Sequence, residues 1–502
     1  MDVRSKMSDV RRKILLILLL FVSLTTAAED AVIQRGCRVG TPRPQGMALR
    51  RGAPGGQPKQ VGGNFYHGDR NQLVVLVSFS DQQFLVDDPV PVWSRILNEP
   101  GYSEAKFTGS VHDYFYAQSN GNFNLTFDLQ RVALDQSRVK YRSWDSLKYG
   151  DPTNDDENSQ YLVQDIMEVL KTRDINWSLY DWNGDGYINQ LLIIYAGKSM
   201  HSDGDKNTIW AHQWWMSEHK KDRQEGVYCD PIPVTAGGKQ YLVDCYCATM
   251  EEAYGDYRSF ATLCHEYTHC FGFPDFYGNS SETPRDWDLM DYSYNKNGFC
   301  PGNYSSHERM MMGWLTPTPL STTQTVSSMA ANDAYIIRND AHPDEYYMVE
   351  NRQKTGWDSY LPGSGLVVFH VDYNENTWLN EWVNTSSKLR YHIIPANNRS
   401  SYSYETGWAY PYLANDSLTN NSKPAAKLNN QKTDGTYFMS KSLRDISVTG
   451  GLASFRFTVD GTTGIDDIID RKPTGPSKVL YQMGPVLIVR EQDGTIRKIM
   501  KR

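Results

Sequence analysis

Residues 259–277 read SFATLCHEYTHCFGFPDFY, and the reading of the chain turns on them. His265 and His269 are four residues apart, so on an α-helix they share one face and offer two imidazoles to a single ion. Glu266 stands beside the first of them, where it can hold and deprotonate a water at the metal. Zinc in a catalytic site takes three protein ligands and keeps its fourth position open. Gly272 and Asp275 follow His269 at short range. A glycine there can take the left-handed conformation that ends a helix and turns the chain back, bringing Asp275 to the metal. The rival third ligand is a glutamate from a later helix, and Glu308 in SSHERMMMGW is its candidate.

A short loop downstream, WDLMDY at 287–292, supplies Met290. In metzincin peptidases a methionine turn at this place forms an apolar floor beneath the ligands, and plain core packing is the alternative. Tyr292 is positioned to steady an oxyanion, or simply to pack on that floor. Asp288 and Asp291 read as loop caps or surface residues. A second metal signal is DWNGDGYIN at 181–189. Asp181, Asn183 and Asp185 match the first ligand positions of an EF-hand, Gly186 supplies its sharp turn, and the Tyr187 carbonyl and Asn189 follow. Leu192 occupies the place of the bidentate glutamate, so a complete EF-hand is not expected; a calcium loop and a metal-free Asx-type turn both remain. His212, in WAHQWW at 210–215, is a cleft residue or a packing one.

Working outward, Arg11, Arg12 and Lys13 precede an apolar run at 14–22 that small residues follow. That run is shorter than the roughly 20 residues a spanning helix needs, so 1–28 reads as a secretory signal peptide. No later stretch reads as transmembrane. Residues 29–70 are rich in Gly, Pro and Arg and read as a pro-segment or flexible lead-in. QLVVLVSFS at 72–80 and INQLLIIY at 188–195 are buried strands. SVHDYFYAQS at 110–119 is a helix, 124–128 a strand, and 160–172 a helix with Leu162, Ile166, Val169 and Leu170 on one face. Beyond 315 short strand-like runs dominate, at 334–337, 346–350, 366–371, 391–394 and 454–459. The fold class is therefore α+β: a catalytic domain over 71–316, an all-β, sandwich-like domain over 317–460, and a linker and tail over 461–502.

The formal net charge is −8, and removing 1–28 leaves the chain more acidic still. An acidic chain without Lys/Arg clusters excludes nucleic acid and anionic membranes as main partners. The seven cysteines are Cys37, Cys229, Cys245, Cys247, Cys264, Cys270 and Cys300. An odd number leaves one thiol without an intramolecular partner. Cys264 and Cys270 point to different faces of the metal helix and are not expected to bridge. Cys37 could place a thiolate on the open position of the zinc; a loop disulfide or a free thiol is the plainer reading.

HEYTHCFGFPDFY, then WDLMDYSYN and SHERMMMGWL, resembles the immune-inhibitor-A-type family of secreted metallopeptidases. LVVLVSFSD (73–81), GSVHDYFYAQSNGNFNLTFD (109–128), DWNGDGYINQLLIIYAG (181–197), YYMVENRQ (346–353) and GLVVFHVDY (365–373) are similar to landmarks of that family, in order. The resemblance implies a metzincin-like catalytic domain followed by a β-rich one. It further implies zinc at His265, His269 and Asp275, catalysis by Glu266, and structural calcium. The C-terminal 25 residues weakly resemble the sorting segments of the type nine secretion system, which implies release or surface attachment. The expectation is a secreted zinc-dependent endopeptidase acting on protein or peptide substrates, monomeric, with Zn2+ as cofactor and Ca2+ as a second ion. Its rivals are an inactive binding protein with a recognition domain and a chain whose zinc is purely structural.

Overall fold

The computed structural model describes residues 66–143, 158–219, 221, 228–278 and 282–460, with the backbone of three further strands, Lys478–Met483, Val486–Arg490 and Ile496–Met500. The expected signal peptide, most of the lead-in with Cys37, and the linker at 461–477 lie outside the described residues. Among those described, no helix is long and apolar enough to cross a membrane.

The chain is a mixed α/β structure with several sheets. The first apolar run lies within β1 (Gly68–Ser78), and the sheet around it adds β2 (Phe123–Ala133), β3 (Leu191–Lys198), β4 (His212–Trp215) and β5 (Cys245–Ala253). Their order is β2–β1–β3–β5–β4, parallel except for β4, with Asp256–Tyr257 folding back on β5. Both faces of this sheet are covered, which is why β1 and β3 read as continuous apolar runs instead of alternating. Val74, Leu76, Leu192 and Ile194 enter one core; Leu73, Val75, Leu191 and Ile193 enter another.

Three helices pack on these faces: α1 (Pro89–Asn98), α2 (Val111–Gln118) and α3 (Ser159–Leu170). In α3, Leu162, Ile166 and Leu170 are fully buried, as their spacing predicts, and Val169 is partly so. A reciprocal cap starts α2: the Asp113 amide donates to Ser110 Oγ (3.1 Å) and the Ser110 amide donates to the Asp113 carboxylate (2.9 Å). Two more helices follow, α4 (Ala261–His269) and α5 (Ser306–Met311).

The C-terminal strands are β6 (Gln324–Met329), β7 (Ala334–Arg338), β8 (Glu345–Arg352), β9 (Gly365–Asp372), β10 (Tyr391–Ile393), β11 (Lys441–Thr449) and β12 (Leu452–Val459). Thr318–Pro319, β7, β8, β9 and β10 form one sheet in that order; β6, β12 and β11 form another. Side chains along β8 and β9 alternate between two interiors, because successive residues in a strand point to opposite faces. Tyr346, Met348, Val367 and Phe369 join the core that holds α4, whereas Tyr347, Val349, Leu366 and Val368 meet Phe455 and Phe457 from the three-stranded sheet. Helix α4 thus lies in an apolar layer between two sheets, and residues on both sides of position 316 build that layer.

The six described cysteines are all buried, and none is bridged to another of the six. Cys264 and Cys270 do not bridge.

Polar links reinforce the same junction. Arg352 is bidentate on Asp358 (both 2.7 Å) and donates to the Asn303 carbonyl, while Glu350 accepts from the Ser306 amide at 2.6 Å. Both members of the Arg352–Asp358 pair are about 95% buried. Removing Asp358 leaves the buried Arg352 guanidinium only one carboxylate contact, the longer one to Glu350 (3.4 Å), so Asp358→Ala is expected to cost roughly 3–5 kcal/mol. Denaturant unfolding measures this, and a loss below about 1 kcal/mol would show that the pair does not hold the junction.

Candidate metal centre

Helix α4 ends at His269, and Gly272 takes φ +89°, a backbone conformation that residues with a Cβ rarely adopt. The Gly272 amide donates to the His269 carbonyl at 2.9 Å, closing the turn. Beyond it the Phe273 carbonyl accepts the His269 Nδ1 proton at 2.7 Å. His265 Nδ1 donates to the Leu289 carbonyl at 2.7 Å, and the Phe276 amide donates to the Met290 carbonyl at 2.8 Å. The loop around Met290 therefore grips both the metal-helix imidazole and the returning chain. Met290 itself is fully buried in the core that contains α4.

This turn brings Asp275 to the imidazoles. Its Oδ1 lies 3.2 Å from His265 Nε2 and 3.4 Å from His269 Nε2. With both Nδ1 atoms committed as donors to carbonyls, the neutral rings direct Nε2 lone pairs at each other and at the carboxylate. Those three atoms are buried and have no hydrogen-bond partner outside the cluster. Burial pushes the Asp275 carboxyl up; imidazoles that carry a proton, His269 foremost, outweigh burial and hold the pKa below its ordinary value, so this space favours a positive charge beside the carboxylate. Ligands about 2.0–2.1 Å from a tetrahedral zinc stand roughly 3.3 Å apart, close to the two Asp275–imidazole separations found here. The donor set fits zinc with one position left open. Among the described residues these three are the group of His, Cys, Asp or Glu ligand atoms lying within 4.8 Å of one another.

Glu308 is elsewhere. It is the N3 residue of a cap on α5, where its Oε2 accepts the Ser305 amide at 2.7 Å. Burial, followed by the nearby Asp288, pushes its pKa well up. Glu266 is fully buried beside His265 on α4. Tyr292 is 8% exposed, with the Arg285 guanidinium 4.1 Å above its ring and Tyr277 at 5.6 Å. Burial and then Asp291 raise its phenol to about 12, so it stays protonated and can donate.

Asp288 and Asp291 are loop caps, but neither is on the surface: both are fully buried. Asp288 accepts from the Met290 amide (2.8 Å) and from the Tyr391 hydroxyl (2.7 Å); Asp291 accepts from the Arg285 amide (2.6 Å). His212 packs in β4, with its ring nitrogens on the Trp210 carbonyl and the Tyr246 hydroxyl.

In the 181–189 loop, Asp181 accepts from the Gly186 amide at 3.1 Å and Asp185 from the Tyr187 amide at 2.8 Å. Asn183 donates to Asp185 at 2.9 Å, and Asn189 Oδ1 accepts the Trp182 amide at 2.6 Å. The side chains thus bond within the loop, as Asx-type turns do. One residue near the ligands was not singled out from sequence. The Tyr294 ring lies 4.5 Å from the His265 ring. Its only sequence signal is a place four residues beyond Met290 in an aromatic run.

Residues 95–312 match the family described as immune inhibitor A peptidase M6, catalytic domain. Comparison with curated proteins gives no match. The region that carries the His–His–Asp cluster is therefore a peptidase catalytic domain of the immune-inhibitor-A type.

Gly272→Ala tests the turn. A Cβ in the left-handed region costs about 1–2 kcal/mol and displaces Asp275. The expected outcome is a modest loss of stability with at least about tenfold weaker zinc binding, since one of three ligands is disturbed. Unchanged zinc affinity in a competition titration would remove Asp275 from the ligand set.

Proposed function

We propose that the chain is a secreted zinc-dependent endopeptidase, with His265, His269 and Asp275 as ligands and Glu266 as general base. The observation that carries it is the set of three converging, buried polar atoms, two of them on a helix whose next residue after the first imidazole is a buried glutamate and the third, from Asp275, 3.2 and 3.4 Å from the other two. A zinc ion in this set supplies Lewis acidity toward a water and the scissile carbonyl.

The chain's own residues do the rest. The Leu289 and Phe273 carbonyls fix the tautomer and plane of each imidazole, so neither ring has to reorient during turnover. Glu266 takes a proton on its carboxylate as the carbonyl is attacked and returns it to the leaving amine. Tyr292, protonated at working pH, donates toward the oxyanion. The helix, the Gly272 turn and the loop at Met290 support a metzincin-like catalytic domain over 71–316, and the C-terminal strands support a sandwich-like domain over 317–460. The basic, apolar, small-residue pattern at 1–28 supports export.

Two measurements test the reading. Glu266→Gln is expected to keep about one equivalent of zinc while casein cleavage falls by about 10²–10⁴-fold or more. Near-normal cleavage by that variant would sink the assignment of the base. Chelation should silence the parent enzyme reversibly without unfolding it, as followed by circular dichroism; unfolding on metal removal would point to a structural ion instead.

A further inference from the structure

Beside the metal cluster a cavity of about 580 Å³ opens to the surface. Thr262, one turn ahead of His265 on α4, contributes to its lining. So does Tyr294, whose ring lies 4.5 Å from the His265 ring. The Tyr294 ring thus both lines the cavity and contacts His265, a proposed metal ligand. From the chemistry of these walls we infer that this cavity is the pocket for a substrate side chain flanking the scissile bond, and that it selects phenylalanine or tyrosine. The inference rests on the peptidase reading above.

The inner wall is aromatic and firmly held. Tyr294 and Phe299 are 3% and 6% exposed, and Phe299 packs edge-on against Phe107 at 4.8 Å, which in turn stacks on Phe260. Tyr254 and Tyr360, also in the lining, are 60% and 49% exposed. Such walls favour an aromatic guest, because ring edges and faces attract beyond simple burial.

The charges point the same way. Lys106 contacts Asp256 at 2.7 Å and lies 5.3 Å over the Phe299 ring, and Lys296 is paired with Asp286. An acidic substrate residue has to displace an existing carboxylate partner to gain either ammonium. A lysine or arginine meets two ammonium groups in the lining, each already paired with its carboxylate, and gains a counter-charge only by breaking one of those pairs. Aromatic side chains avoid both costs, and the Thr262 hydroxyl gives a tyrosine guest a hydrogen-bonding group within the lining.

The test is cleavage-site profiling of the purified, zinc-loaded chain on a library of proteome-derived peptides, with product ends read by mass spectrometry. The double variant Tyr254→Ala/Tyr360→Ala runs alongside; both rings are exposed, so the core is untouched. The expected result is enrichment of Phe and Tyr at one fixed position beside the cut, with the Phe-over-Ala ratio of kcat/KM falling about tenfold in the variant. Cleavage with no aromatic preference, with a preference for Lys or Arg, or with an unchanged ratio in the variant overturns the pocket and leaves the peptidase reading standing. Absence of any cleavage by zinc-loaded protein overturns both.

Discussion

Two buried imidazoles that have already given their Nδ1 protons to backbone carbonyls impose the constraint on which this structure depends. Their Nε2 atoms and one oxygen of Asp275 are all acceptors, converging within 3.4 Å of the carboxylate in a space closed to bulk water. Acceptors facing acceptors repel, and each buried polar atom left unsatisfied costs about 1–3 kcal/mol. Protonating both rings instead would bury charge, which burial itself opposes. A divalent cation resolves the arrangement without either cost. The Gly272 turn, the Leu289 carbonyl and the Phe273 carbonyl act together toward that one geometry.

What holds the arrangement is layering. The two larger sheets face each other across the apolar layer that contains α4, and each also covers a second core on its far side. A polar chain crosses the same layer: Tyr391 on β10 donates to Asp288, which holds the Met290 amide, and the hydroxyls of Tyr391 and Ser305 lie 2.7 Å apart. The loop under the ligands is thus pinned by a strand 103 residues away in sequence. Because every group in this chain is buried, its members are satisfied by one another and not by water.

The His–His–Asp cluster was legible because it is local. Spacing of four on a helix, a glycine at a turn and an acid just past it are all readable within eleven residues. The same holds for β1 and β3, apolar runs buried on both faces, and for the Ser110–Asp113 cap. Strand β5, CYCATMEEA, was not legible. Every residue in it is buried, yet it has neither an apolar run nor alternation. Its glutamate at 251 is satisfied by the Leu85 and Gly197 amides, partners that only the folded chain supplies. Asp288 gave the same difficulty, since nothing near it in sequence announces Tyr391. Tyr294 carries no sequence signal of its own, since an aromatic near a methionine loop looks like core until its neighbour is known to be His265.

The family match ends at residue 312, but the layer around the metal helix is closed by side chains reaching Trp408 and Ala409. In an emerging chain the HEYTH segment therefore precedes its own surroundings by well over a hundred residues. Contacts so distant in sequence form slowly, because loop closure comes before any reward. Until the five-stranded sheet docks, the imidazoles lack the full surroundings that hold them. The order in which the chain assembles thus sets the order in which the cluster matures: the imidazoles exist early, and their finished surroundings come last.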